Sequence, residues 1–398
     1  MRALQVDRKL GRIGAARVLS VVSPVAAAKA GPLELVTIDP PELPGEGWHR
    51  VRPSLSGICG SDLSTVEGHA SPYFQDWVSF PFVPGHEIVG RLDDGRRVVV
   101  EPVLGHAARG VRPPFEGAAP GDGDDYAHLA TGHLEPGIQI GFCRSTGGGW
   151  GPELVAHDSQ LHEIPDAMTD ERAVLVEPTA AGIHAALATW PAVQGRQRPI
   201  VAVLGAGTMG LAAVAGLRRY VPGVQVVVGA RYPHQRALAA AFGADVVVEP
   251  RELARAVRRL TGSHVIGDHL SGGADATVDA VGTSASIADC LRFTRPRGRV
   301  VLLGMPAEVS VDLTGLWHRE TQLVGAYTYG TETMPDGTRR RTFDLSMETV
   351  AALGFERLLS ATYPIEDHHD AIAHAAAAGR RGAVKIAFDL RPRQKASR

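Results

Sequence analysis

The sequence predicts an α/β protein: a doubly wound parallel sheet in its second half, preceded by a mostly β, turn-rich first half. Three observations carry this. From about residue 200, short continuous apolar runs alternate with helix-like segments, the pattern of a parallel sheet covered on both faces. A glycine-rich turn, Gly205-Ala206-Gly207-Thr208-Met209-Gly210, joins the first run to its helix. Before residue 170 the apolar runs are short and β-branched, punctuated by Asp, Gly and Pro, as strands and turns require.

In order, Val98–Val100 reads as a strand after the turn Asp93-Asp94-Gly95. Residues 101–151, with RGVRPPFEGAAPGDGDD and a glycine triplet at 147–149, show neither period and read as an irregular lobe. Asp170 and Glu171 open a helical run that becomes alanine-rich over Ala180–Thr189. Ile200–Leu204 is a buried-type strand, followed by the helix LAAVAGLRRY. Val224–Val228, Asp245–Val248, Ala276–Val281 and Arg299–Gly304 continue the sheet, with a helix at Pro233–Phe242. A helix over Asp367–Ala378 and a strand at Val384–Phe388 close the chain, and no internal repeat is present.

Composition bounds the function. The 398 residues carry 41 basic and 43 acidic side chains, a formal charge of −2, which argues against an electrostatic grip on nucleic acid or an anionic membrane. Three cysteines, Cys59, Cys143 and Cys290, make no disulfide framework and suit a reducing, cytoplasmic compartment. The run 18–28 (VLSVVSPVAAA) resembles a weak signal, but Pro24 interrupts it and charges precede it at Asp7, Arg8 and Lys9. No apolar stretch reaches the roughly 18–20 residues of a membrane span.

Placed between strand and helix, the G-x-G-x-x-G is a dinucleotide fingerprint. Gly205 makes the tight turn, Gly207 lets backbone approach a pyrophosphate, and Gly210 allows close helix–strand packing; the N–H groups opening the helix at Thr208 and Met209 face phosphate oxygens. An acidic residue gripping the ribose 2′-hydroxyl belongs roughly 20 residues further on. There the chain has Gly229-Ala230-Arg231-Tyr232 and no carboxylate. Arg231, assisted by Arg236 a helical turn later, suits a 2′-phosphate, so NADP(H) is preferred over NAD(H).

Three pieces upstream carry metal-ligand chemistry: Gly57-Ile58-Cys59-Gly60-Ser61-Asp62, Pro84-Gly85-His86-Glu87 and Val176-Glu177-Pro178. Thiolate, imidazole and carboxylate suit zinc with one open position. Together with the fingerprint, GICGSD, PGHE, VEP and the closing GAVKIAF resemble the zinc-dependent medium-chain dehydrogenase/reductase family over essentially the whole chain. Glu177 looks more like the polyol, glucose and threonine dehydrogenases than the cysteine-ligated alcohol dehydrogenases.

The resemblance implies a GroES-like catalytic domain (1–178 and 327–398) split around a Rossmann domain (179–326), with the active site in the cleft between them. It implies that Cys59 and His86 ligate one catalytic zinc, with Glu177 in the third position, directly or through water, and Glu87 as a movable ligand. Ser61 passes the substrate hydroxyl proton toward solvent, Asp62 orients a ligand, and Lys385 reaches the cofactor pyrophosphate. Hydride then moves between an alcohol or polyol, or its carbonyl product, and NADP(H). The alternatives are a zinc-free NADPH-dependent quinone or enoyl reductase and a non-catalytic nucleotide-binding protein. The resemblance further implies a homodimer or homotetramer, with Arg299–Gly304 and Pro306–Leu313 as candidate contact segments.

The sequence departs from the family in the lobe, where a structural zinc needs four cysteines. Cys143 stands alone, and His106, Phe115, Ala118 and Tyr126 occupy the matching places, so no structural zinc is expected. The lobe is then either held by packing, with Phe115 and Tyr126 as candidates, or mobile, and His106, His128 and His133 read as surface histidines rather than as an irregular metal site. Cys143 and Cys290 read as structural; Asp279 ends a strand and is either structural or part of the cofactor site. The aromatic segment Tyr73–Trp77, with Phe80 and Phe82, either walls a substrate pocket or packs the domain.

Overall fold

The computed structural model describes residues 1–392. Contacts divide the chain into two units, Met1–Glu177 with the segment from Gly354 onward, and Pro178–Leu353.

The first unit is built on a mixed sheet in the order Leu359–Tyr363, Lys385–Asp389, Trp48–Gly57, Ile88–Leu92, Arg97–Val100, Leu161–Glu163, with Leu154–His157 pairing the start of Trp48–Gly57. Three adjacent strands set the register that matters: Gly57 lies opposite Ala387, and Ser56 opposite Ile88. Under them Trp150, fully buried, packs edge-on against Phe388 and donates its indole N–H to the Gly57 carbonyl at 3.3 Å. Gly85, at φ +92°, is required beside this ring, because a Cβ there would stand 2.3 Å from Trp150. The lobe 101–151 contains short 3-10 turns at Ala107–Arg109 and Ala127–Ala130. A helical hairpin not anticipated from sequence, Leu10–Ser20 and Pro24–Ala30, interrupts the pairing of Arg2–Val6 with Leu33–Thr37.

The second unit holds a six-stranded parallel sheet in the order Val246–Val248, Gln225–Gly229, Ile200–Leu204, Ala274–Asp279, Thr294–Leu302, Gln322–Gly325. Numbered along the chain this is 3-2-1-4-5-6, the Rossmann order. Thr294–Leu302 lies inside the sheet, so the strand expected at Arg299–Gly304 is no free edge; that position belongs to Gln322–Gly325, whose Gln322 and Leu323 are exposed. Residues 327–353, expected with the returning catalytic segment, group with this unit. Tyr220 donates to the Leu345 carbonyl at 2.9 Å and His184 lies 2.6 Å from Glu332, which ties the segment down.

Candidate functional site

In the first unit, sheet register gathers residues that are far apart in sequence. Cys59 follows the strand Trp48–Gly57, His86 and Glu87 precede Ile88–Leu92, and Lys385 opens the last strand. The helix Gly60–Val66 starts at Cys59, whose backbone N–H donates to Asp62 Oδ2 at 2.9 Å in a capping box. This cap fixes Asp62, 1% exposed, with its other oxygen 3.5 Å from His86 Nδ1. Both of those atoms are buried without a hydrogen-bond partner. The Cys59 thiol is near enough to raise the His86 pKa, and His86 Nε2 lies 3.4 Å from Ser61 Oγ. Burial opposes a charged His86, but Asp62 and Cys59 outweigh it and hold its pKa well above the ordinary histidine range.

Glu87 is fully buried, and its two oxygens lie 2.5 Å from the Lys385 ammonium, which also donates to the Ile58 carbonyl at 3.1 Å. Gly57 makes the room: a Cβ on it would stand 1.8 Å from Glu87 Oε2. Lysine occurs at four positions, 9, 29, 385 and 395, and this one is 4% exposed. Burial lowers the Lys385 pKa, but Glu87, then Cys59, then Glu177 more than reverse this, and the net shift is upward. The sequence sends Lys385 to a pyrophosphate; the structure gives its ammonium to Glu87. Glu177 sits half-buried in the first turn of the helix Val176–Leu187, near enough to raise the Lys385 pKa.

Among the described residues, no three His, Cys, Asp or Glu side chains stand together as a metal cage. The donor chemistry nonetheless fits zinc at Cys59 and His86: the thiol is near enough to shift the imidazole's pKa, and the Asp62 oxygen without a hydrogen-bond partner, 3.5 Å from Nδ1, matches the carboxylate–imidazole arrangement that orients a ligating histidine. A row of rings ends here, Phe80 to Phe82 at 5.2 Å, Phe82 to Phe142 at 5.3 Å and Phe142 to His86 at 5.8 Å. Tyr73, Phe74 and Trp77 form a separate cluster with Tyr126, and Tyr73 is 69% exposed.

The lobe has an organiser that sequence reading missed. Arg109 is 1% exposed and donates to the carbonyls of Thr131, Glu135 and Gly137. Beside it His106 and His128 stack at 3.8 Å, and Cys143 is buried, its thiol on the Glu135 carbonyl. Burial, then His106, pushes the His128 pKa down to about 4. His128 is thus a core residue, against the expectation of a surface histidine, whereas His133 is exposed.

In the second unit the fingerprint glycines divide their work as steric reasoning predicts. Gly205 has φ +99°, and a Cβ on Gly210 would stand 2.1 Å from the Gly205 carbonyl oxygen. A Cβ on Gly207 would meet nothing within 4 Å, so the backbone there is open to a ligand. Gly207 precedes the helix Thr208–Tyr220 without a side-chain cap, leaving its first N–H groups for phosphate. Arg231 is exposed beside Tyr232, whereas Arg236 donates to the carbonyls of Ala230 and Arg231 at 3.2 and 3.0 Å. Asp279 accepts from the N–H groups of Val281 and Gly282 and from Ser286 Oγ, which makes it a turn clasp; Cys290 is buried.

Two family profiles match the chain, the alcohol dehydrogenase GroES-like domain over residues 45–166 and the zinc-binding dehydrogenase over 208–344. A putative D-xylulose reductase of Agrobacterium fabrum is 28% identical over 80% of this chain and 84% of its own. The sorbitol dehydrogenase of Homo sapiens is 29% identical over 76% and 84%. A putative zinc-binding dehydrogenase from Sinorhizobium meliloti, solved bound to NADP, superposes with a TM-score of 0.64 at 20% identity, covering 98% of this chain and all of its own.

Proposed function

The chain belongs to the zinc-dependent medium-chain dehydrogenase/reductase family, an alcohol dehydrogenase-type oxidoreductase, and on that premise we propose that it moves hydride between an alcohol or polyol and NADP(H) at a single zinc centre. The observation that carries the reading is the juxtaposition of Cys59, His86 and Asp62. Relatives named for sorbitol and D-xylulose support the polyol class.

Cys59 and His86 would hold the metal, completed by Glu177 directly or through water, or by Glu87. When bound, zinc makes an alcohol oxygen acidic near neutral pH, and the nicotinamide accepts hydride. Asp62 keeps His86 oriented. Ser61 Oγ takes the substrate hydroxyl proton and passes it toward solvent; in the reverse direction it returns it. Lys385 pairs with the buried Glu87 and holds its side chain in place. The N–H groups opening Thr208–Tyr220 bind the pyrophosphate, and Arg231 binds the 2′-phosphate, where no carboxylate repels it. Three unpaired cysteines support a cytoplasmic location, and the exposed strand Gln322–Gly325 supports a homodimer or homotetramer.

Elemental analysis of protein purified without added zinc or chelator tests the centre. About one zinc per chain, lost in Cys59→Ala together with turnover of polyols, is expected. No zinc after reconstitution transfers the reading to a zinc-free reductase, and cofactor binding without any turnover to a nucleotide-binding protein.

A further inference from the structure

We propose that the helical hairpin Leu10–Ala30 is a docking device for anionic lipid surfaces. The hairpin is firmly built. Ser23 caps its second helix, Ala16, Ala27 and Ala28 are buried, and Lys9 and Arg12 clasp Glu34. Gly31 fits against the Val66 carbonyl, where a Cβ would stand at 2.7 Å. What this support presents outward is apolar. Val21 and Val22, at the turn between the helices, are each 83% exposed, and Val18 is 71% exposed. Such an exposed aliphatic tip costs solvation in water and gains by entering a hydrocarbon boundary.

Charge selects the partner. Residues 8–33 contain five basic side chains, Arg8, Lys9, Arg12, Arg17 and Lys29, and no acidic one, in a chain whose formal charge is −2. With Lys9 and Arg12 held by Glu34, Arg8, Arg17 and Lys29 remain exposed, with no carboxylate within ion-pair distance among the described residues. A second copy meeting this face across a two-fold axis would set cations against cations. An acidic protein groove would call for aromatic anchors at the centre of the patch, and the tip carries valines. Apolar insertion of the tip with Arg17 one turn away, backed by Arg8 and Lys29 at the far ends of the two helices, combines the two signals that an anionic bilayer retains. The hairpin lies outside both matched family segments, and no helix among the described residues is long and apolar enough to cross a membrane, so the association is interfacial.

The test is sedimentation of the intact protein with vesicles of phosphatidylcholine alone or with one third phosphatidylglycerol. Each cation near the surface contributes about a factor of five, so Arg17 beside the tip predicts about a fivefold preference for the anionic vesicles, larger if the helices lie flat and bring Arg8 and Lys29 to the surface, and reversed by high salt. Val21→Asp/Val22→Asp and Arg17→Glu/Lys29→Glu should each abolish sedimentation while thermal midpoint and turnover stay unchanged. Absence of wild-type binding, equal binding to both vesicles, or binding retained by both variants overturns the proposal. Self-association by light scattering that the valine variant loses, without vesicle binding, assigns the tip to a second copy and also overturns it.

Discussion

Lys385 places its ammonium 2.5 Å from both carboxylate oxygens of Glu87, a residue 298 positions earlier in the chain. Neither group reaches water. Removing one partner of such a pair leaves an uncompensated buried charge, so Lys385→Met is expected to cost about 3–5 kcal/mol by urea denaturation. Lys385→Met/Glu87→Gln should recover much of that loss. Because the folded pKa of Lys385 is raised, its stabilisation is complete below the ordinary lysine value of about 10.4. It then disappears as pH climbs through the folded value. Wild type should therefore lose stability relative to Lys385→Met across that alkaline range.

Gly57→Ala tests the same pair sterically. The added methyl would occupy space 1.8 Å from Glu87 Oε2, with backbone on the glycine side and a buried carboxylate on the other. We expect about 1–3 kcal/mol of destabilisation together with loss of turnover, read by thermal denaturation and steady-state kinetics. Unchanged kinetics would separate Glu87 from the reaction.

For the cofactor, Arg231→Ala should weaken NADPH binding by about 1.5–3 kcal/mol, roughly ten- to 150-fold, and leave NADH nearly unaffected. Arg236→Ala should weaken both cofactors modestly, because its guanidinium braces the carbonyls of Ala230 and Arg231. Fluorescence titration with the two nucleotides distinguishes these roles.

The lobe carries an acid-sensitive element. His128 titrates near 4 in the fold and near 6.5 when unfolded, so the unfolded chain binds the extra proton first. Stability should fall as pH drops from about 6.5 to 4, by up to about 3 kcal/mol. His128→Phe, which keeps a ring against His106, should remove that slope in denaturation midpoints. Arg109→Met should loosen the lobe at every pH by about 3 kcal/mol, since three carbonyls lose a charged donor, with faster amide exchange over residues 129–137.

The strand–turn–helix around Gly205–Gly210 was legible because its signals are local: a five-residue apolar run, glycines at fixed offsets and a good helix former after them. The resemblance carried by GICGSD and PGHE also implied that Cys59 and His86 come together. Lys385 was not, because its place depends on which strand the last one pairs with. Sheet register, not local sequence, sets Ala387 opposite Gly57. The hairpin Leu10–Ala30 escaped because Gly11, Gly14 and Pro24 are poor helix signals and its apolar residues form no inward stripe; short alanines make the contact. The sixth strand, Gln322–Gly325, escaped because an edge position lets its side chains face water.

The scarcity of lysine has a practical side. Of the lysines among the described residues, amine-directed cross-linkers, dyes and activated supports will find Lys9 and Lys29, beside and on the N-terminal hairpin, while Lys385 stays shielded by its carboxylate. Immobilisation through these lysines should therefore run through the hairpin region, at the expense of the hairpin's own freedom to bind.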